Sequence, residues 1–428
     1  FKKHYHIDKN SKLLHKLIFN LKHGNKIKLS LFNDDLNNRK KIFKINNLLK
    51  GFLFNNKSEI KFFENPFNYD GLIRQTLSWR DAIGYINQDF EFNLPHNLNS
   101  KWRLSKFMEI SNNGNFFDIL KKITLLTLPL ELLENFKYLN DFFLNKNDKF
   151  PKILLSSRGL HSNIKYKILA ANWKKLGTKI LYLQHGGEYG VTYRSIHEEY
   201  EINCSSNYYS WGWTDKSAKV KPLVVPRPRL KKIVKKKILF IPTNWPESVT
   251  HLRFVPIGEK RTDEFRNDSF SFLKSLKIRE EIVLRPYIHD YKEFKKNLFL
   301  SGENICIDKS KNSLQSFNES KIVIHNSLQT TWLETLSLNI PTICFYNPEV
   351  YLFRSGVNEI IDKLKEVGIL HTSPISAAKF LNDCYKNPDE WWASQNLQKV
   401  VNNFVKNYAN LSENWKDEWM TELKSNLR

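Results

Sequence analysis

The sequence predicts an α/β protein built from two Rossmann-like domains. Three observations carry that expectation. The chain has 428 residues, more than one hydrophobic core usually organises. From Pro151 onward, apolar runs of strand length alternate with helix-like stretches, as parallel β-α-β units do. Two of those runs end in loops rich in Gly or in Ser and Thr, where doubly wound sheets present their ligand sites.

Residues 1–100 mix short strand-like runs, such as Lys26-Ile27-Lys28-Leu29, with Asn-rich loops. Residues 101–146 read as helical, and the apolar spacing from Phe116 to Leu144 breaks near Pro129, because proline cannot continue a helix. Lys152-Ile153-Leu154-Leu155-Ser156 predicts a buried parallel strand, Ile164 to Leu176 a helix closed by Gly177, and Lys179 to Leu183 a second strand. Tyr208 to Trp213 reads as a short strand leading out of this domain. Pro222, Pro226, Pro228 and the lysines Lys231-Lys232 and Lys235-Lys236-Lys237 make 221–237 an interdomain linker or an ordinary surface loop.

A second alternation follows. Strands are expected at Lys237–Ile241, Glu281–Arg285, Ile305–Ile307, Lys321–His325 and Thr342–Phe345, with helices at Asp268–Leu276, Ser313–Asn318 and Leu328–Leu338. The tail from Trp391 to Leu427 is helical and rich in Trp. The expected domains are therefore 1–220, a linker 221–237, a second domain 238–400 and a C-terminal helix in 401–428.

The formal net charge is +23, from 67 basic and 44 acidic residues. One reading is a residue usage biased to Lys, Asn and Ile that leaves solvated faces. The other is attraction to an anionic leaflet or to nucleotide phosphates. No helix-turn-helix, zinc finger or RNP-like segment supports a nucleic-acid partner. Cys204, Cys306, Cys344 and Cys384 form no CxxC pair, which argues against zinc and suits thiols in a reducing compartment. No apolar run reaches the ~18 residues that cross a bilayer; Ile123–Leu133 is short and interrupted. The chain starts at Phe1 rather than Met, so a preceding targeting segment stays open.

Five strand-end segments carry the chemistry. In Gln184-His185-Gly186-Gly187-Glu188-Tyr189-Gly190, three of the chain's 15 glycines fall within five positions. Glycine lets a ligand approach the backbone closely. His185 and Glu188 are the titratable groups there, and a histidine near neutrality suits removal of a proton from a sugar hydroxyl. The alternative is a tight turn with a hydrogen-bonded histidine. In the second segment a strand ends at His325, and Asn326 or Ser327 can cap the helix that follows. Free N–H groups and the helix dipole favour a donor phosphate there. Thr330 and Thr331 add hydroxyls, and Glu334 can accept from ribose hydroxyls or stay merely solvated. Arg285, before Pro286, Tyr287 and His289, pairs with a phosphate or with a surface carboxylate. Thr243 and Asn244 occupy the equivalent loop after the Lys237 strand, and Arg158 in Ser156-Ser157-Arg158-Gly159 is an acceptor contact or a structural loop residue.

The segment Thr331-x-x-Glu334-x-Leu336-x-x-Asn339-x-Pro341 resembles the donor-binding segment of GT-B glycosyltransferases. The resemblance implies two Rossmann-like domains with a cleft between them, phosphate contacts from the Ser/Thr region and a ribose contact from Glu334. The family usually has glycine where this chain has Asn339, and Asn is the next best residue for a left-handed helix terminus. The Gln184–Gly190 loop resembles the His-Gly loop of polymer transferases such as the teichoic-acid enzymes, which implies that His185 is the base. Arg285-Pro286 is similar to their Arg-Pro-His element, with Tyr287 in place of His. Taken with Ser156–Gly159 and Ser210-Trp211-Gly212-Trp213, the pattern over about 120–350 resembles transferases of O-antigen gene clusters, related in layout to capsule Kdo and polysialic-acid transferases.

The resemblance implies a metal-independent glycosyltransferase, in keeping with the absence of an Asp-x-Asp pair. It needs no cofactor beyond its nucleotide-sugar co-substrate. The donor is a CMP-ulosonate or else a UDP- or GDP-sugar; the acceptor is a surface or lipid-linked glycan such as O-antigen or capsule. The first domain holds the acceptor through Arg158, Gly186, Gly187 and Tyr189, and the last helix crosses back onto it. The expected location is cytoplasmic, at the inner face of the membrane. The rivals are a nucleotide-sugar epimerase on the same fold and a non-catalytic basic binding protein.

Overall fold

The computed structural model describes residues 57–62, 83–85, 94–110, 116–145, 150–226, 237–243, 259–286, 306–310 and 312–428. The Lys26 run, Asn244, Tyr287, His289 and most of the expected linker lie outside them.

Two six-stranded sheets carry the chain. The first contains β1 (Ile60–Phe62), β2 (Ile83–Tyr85), β3 (Ile153–Ser156), β4 (Lys179–Leu183), β5 (Asn207–Ser210) and β6 (Val220–Pro222), in the order β2-β1-β3-β4-β5-β6. The second contains β7 (Lys237–Ile241), β8 (Ile282–Leu284), β9 (Cys306–Ile307), β10 (Ser320–His325), β11 (Thr342–Phe345) and β12 (Leu370–His371), in the order β12-β11-β10-β7-β8-β9. Its pairs are parallel, as are those from β2 to β5. The doubly wound α/β class expected from the sequence is observed in both sheets. The strands read as unbroken apolar runs because both faces are covered: Ile153, Leu154, Leu155, Leu239, Phe240, Val323, Ile324 and Ile343 are all buried.

The chain divides into two compact units. The first holds the described residues up to His185, with Cys204–Tyr209 and Thr421–Arg428. Here Asn163 caps the helix Ile164–Lys175 by accepting from the Tyr166 N–H at 3.0 Å. The end of the chain is fastened to β4 and β5. The Tyr209 hydroxyl donates to Glu422 at 2.6 Å, Asn426 Nδ2 donates to Tyr209 Oη at 2.9 Å, and Lys179 donates to the Asn426 carbonyl at 2.8 Å.

The second unit holds Gly186–Asn203 and Ser210–Met420. One layer of its core stacks Phe272 from the helix Glu259–Lys274 between Phe240 and Phe345, at 5.0 and 5.1 Å. Trp332 and Phe404 meet at 5.1 Å in another cluster. The strand order reverses direction between β7 and β10, which makes the carboxyl ends of those two strands the switch point where such sheets bind ligands. Asn339, at φ +53°, ends the helix Thr330–Ser337 in the left-handed region, and its Oδ1 accepts from Trp392 Nε1 at 2.8 Å. The four described cysteines are free; Cys344 is buried, but Cys306 is exposed rather than a core residue.

Gly212 sits at φ +120°, and a Cβ there would lie 2.5 Å from the Lys406 carbonyl oxygen. Both the conformation and the contact with main chain demand glycine. Gly212→Ala is expected to cost more than ~1 kcal/mol, read as a lowered denaturant midpoint. An unchanged midpoint would contradict this close approach.

Candidate active site

The switch point is clamped by an amide. Asn326, just beyond β10, accepts from the Thr243 N–H at 2.6 Å and donates to the Thr243 carbonyl at 3.2 Å and to Ser269 Oγ at 3.0 Å. The Ser327 and Thr243 hydroxyls are 2.6 Å apart. Asn326 and Ser327 therefore join the ends of β7 and β10 and do not cap the next helix. The N-cap of Thr330–Ser337 is Gln329, whose side chain makes no capping bond. This leaves the first N–H groups of the helix without a side-chain acceptor of that kind.

His325 is buried, and burial lowers its pKa to about 3, so the ring is neutral. Its Nε2 lies 3.1 Å from Thr335 Oγ1 and its Nδ1 3.3 Å from Thr331 Oγ1. Thr335 Oγ1 donates to the Trp332 carbonyl at 3.0 Å, so it accepts from His325 Nε2–H. Nδ1 then accepts from Thr331. His325 thus positions Thr331 from beneath the site. Thr330 is used differently: its Oγ1 accepts from the Gly187 N–H at 2.9 Å, which leaves its own proton to donate. Glu334 is buried, so it is not a solvated surface group.

The Gly186–Asn203 segment joins these elements within the same unit. A Cβ on Gly186 would fall 2.3 Å from Thr330 Oγ1, and one on Gly187 would fall 3.2 Å from Thr330 N. The glycine pair is thus what lets the loop reach the helix start. Beyond it, the Tyr189 hydroxyl donates to Glu201 Oε1 at 3.0 Å, and the Gly190 N–H donates to Glu198 Oε2 at 2.7 Å. Glu198 also receives Arg354, whose Nε donates to the Thr192 carbonyl at 2.9 Å and whose guanidinium lies over Trp213. Burial raises the Glu198 pKa, with the Arg354 charge opposing it.

Glu188 is fully buried, neither carboxylate oxygen has a hydrogen-bond partner, and burial holds its pKa well above the ordinary carboxyl value. Tyr351, also buried, interacts electrostatically with Glu188 and Cys344 and approaches Ser327 and Leu328. Burial thus favours the protonated form of Glu188, which can donate a hydrogen bond and is a poor resting base.

Not every expected residue joins this cluster. Arg285 Nη1 donates to Asp308 Oδ2 at 2.8 Å and to the Ser310 carbonyl at 3.1 Å, so it is committed to a buried carboxylate. Asp308 also receives Lys237, Ser310 and Ser316, and those bonds hold its pKa below the ordinary value despite burial. In the first unit, His185 is half-buried, with its ring 5.8 Å from His161, and Arg158 is the exposed residue before the short helix Gly159–Ser162. Tyr351, Glu198 and Arg354 were not singled out from the sequence. They belong to no motif, and nothing in their spacing links them to the glycine loop.

A doubly wound sheet with a clamped switch point, an open helix start and a glycine loop against it defines a ligand site of the α/β class. The chain belongs to the LIC12162 family transferases, whose description matches residues 6–423. Comparison with curated protein sequences yields no match. Among solved structures, the wall teichoic acid polymerase TagF aligns at 12% identity over 98% of this chain and 99% of its own, with a TM-score of 0.43. A UDP-GlcNAc 2-epimerase from Neisseria meningitidis aligns at 10% identity over 86% and 99%, with a TM-score of 0.44. Acinetobacter baumannii MurG aligns at 9% identity over 82% and 87%, with a TM-score of 0.36.

Glu188→Gln is expected to raise the melting temperature, and the gain should widen as pH rises above the ordinary carboxyl value. A carboxyl whose folded pKa is raised contributes full stability only below its ordinary pKa and loses it as pH rises. Gln has no proton to lose. A pH-independent difference would mean that the carboxyl is solvated or ionised.

Proposed function

We propose that the protein is a metal-independent glycosyltransferase of the GT-B type. It moves a sugar from a nucleotide donor, a CMP-ulosonate or a UDP- or GDP-sugar, to a surface or lipid-linked glycan. The observation that carries this reading is the uncapped start of Thr330–Ser337 at the β7/β10 switch point, with the Thr330 hydroxyl proton available and Glu334 one helical turn on. Such a helix start favours a phosphate, and a carboxylate suits ribose hydroxyls.

In this reading the donor phosphates meet the helix start and Thr330. Glu334 takes the ribose. Thr243, Asn326, Ser327, His325 and Thr331 hold the loops in place beneath the nucleotide. Helix dipole and N–H groups stabilise the departing phosphate without a metal. His185, joined to Gly186 by one peptide bond, removes the acceptor proton. Glu188 stays protonated and acts as a hydrogen-bond donor. Arg158 serves the acceptor side, while Tyr189, buried with its hydroxyl on Glu201, supports the glycine loop from behind. Arg285 acts through Asp308 rather than on phosphate directly. The work of such an enzyme is done in the cytoplasm against the inner leaflet.

Two variants test the assignment. His185→Ala is expected to lose at least ~100-fold in transfer rate, the usual scale for a general base, while nucleotide binding by calorimetry is retained. Glu334→Ala should instead weaken nucleotide affinity about tenfold or more, the scale of a hydrogen bond to a charged group. Normal transfer by both would overturn the assignment. Conversion of the donor with no acceptor present would identify an epimerase instead.

A further inference from the structure

The first unit contains two helices whose polarity is inverted. In Phe116–Thr127 the buried residue is Asp118, whereas Phe116 and Phe117 are 70% and 69% exposed. Phe116, Ile119, Leu120 and Ile123 recur at i, i+3, i+4 and i+7 and all face outward, the stripe that normally turns to a core. The neighbouring Ser100–Glu109 repeats the pattern: its buried residue is Arg103, and Met108 is 78% exposed, with Trp102 and Leu104 also outward.

The orientation is enforced from within. Arg103 donates to Glu134 at 2.7 Å through Nε, and to the carbonyls of Leu125 and Leu128 at 3.1 and 2.8 Å. It thereby closes the C-terminal end of the second helix and ties both helices to Glu134. Asn99 caps the first helix from the Trp102 N–H at 3.0 Å. Turning the apolar stripe inward would tear the Arg103 guanidinium from these acceptors and strand a buried charge. The outward face is therefore the stable arrangement of this hairpin.

The charges interleaved with the stripe say what covers it. Lys101, Lys106 and Lys121 are exposed beside the aromatic residues, and Lys122 lies over the Phe107 ring at 5.1 Å. Asp118 is buried and Glu109 is paired with Lys106, which leaves the surface of both helices basic. Aromatic and aliphatic side chains flanked by lysines, on helices too short to cross a bilayer, suit the interface of an anionic leaflet. No described helix is long and apolar enough to cross a membrane. We propose that this helical pair docks the protein on anionic phospholipid, with Phe116, Phe117 and Met108 entering the acyl boundary and the exposed Lys101 and Lys121 meeting headgroup phosphates. The proposal does not depend on the reaction assigned above.

The test is co-sedimentation of the full chain with vesicles of phosphatidylglycerol and phosphatidylethanolamine, against phosphatidylcholine alone. Binding is expected to the anionic vesicles and to fall with salt. Phe116→Ser with Phe117→Ser should weaken it at least about tenfold, in proportion to the apolar area lost. Lys101→Ala with Lys121→Ala should weaken it about fivefold per lysine. Both pairs lie on the outward side, so the melting temperature should hold. Equal binding to phosphatidylcholine, or unchanged binding by the Phe pair, would overturn the proposal. So would a dimer in light scattering that the Phe pair dissolves, since that would make a second copy the occupant.

Discussion

The bond from the Gly187 N–H to Thr330 Oγ1, 2.9 Å long, sets the form of the candidate site. It joins residues 143 positions apart and brings the glycine loop onto the start of a helix. Only a loop without β-carbons can make that approach, because a methyl at Gly186 would press into the threonine hydroxyl. The bond also decides chemistry. Since Thr330 accepts, its proton points elsewhere, and the helix start keeps a hydroxyl donor beside its N–H groups.

Everything around that contact serves to hold it. On one side, Asn326 and Ser327 bind Thr243 and fix the β7 and β10 ends in register. On the other, Arg354 and Glu198 seat the residues after the glycines, reinforced by the Tyr193 N–H to the Leu352 carbonyl at 2.7 Å. These are buried or half-buried polar groups with partners. Each bond contributes ~1 kcal/mol net, but loss of one partner strands the other. Glu188 is different, with both carboxylate oxygens buried and without a partner, and an exposed, solvated carboxyl would have been the less costly design. A group kept at that cost is consistent with work in ligand binding.

Much of the fold could be read from the residues. The strands β3, β4, β7, β10 and β11 are unbroken apolar runs because helices cover both faces. β12 consists of Leu370 and His371 alone, too short to leave a period. The helix Glu259–Lys274 is recognisable only from Asp268 onward, since its first half is Glu, Lys, Arg, Thr and Asp. In the site, the scarce glycines and the Ser/Thr-rich strand end mark the two segments that meet at Gly187 and Thr330. Their side-chain roles were less accessible. His325 reads as a ligand contact but is buried against two threonines. Arg285 reads as a phosphate partner, yet its carboxylate, Asp308, lies 23 residues on. Such pairings arise from tertiary packing, which local patterns do not encode.

Two features of the chain share one property, a polarity that runs against the usual direction. A carboxyl is buried without a partner near the glycine loop, and aromatic rings stand outward on the Phe116 helix. The most direct measurement of the site is the position of a bound nucleotide, found by crystallography of the full chain soaked with CMP, UDP, GDP and CDP compounds. Phosphate density at the amino end of Thr330–Ser337, with ribose at Glu334, is the expected result. A nucleotide bound away from the β7/β10 switch point would contradict the assignment.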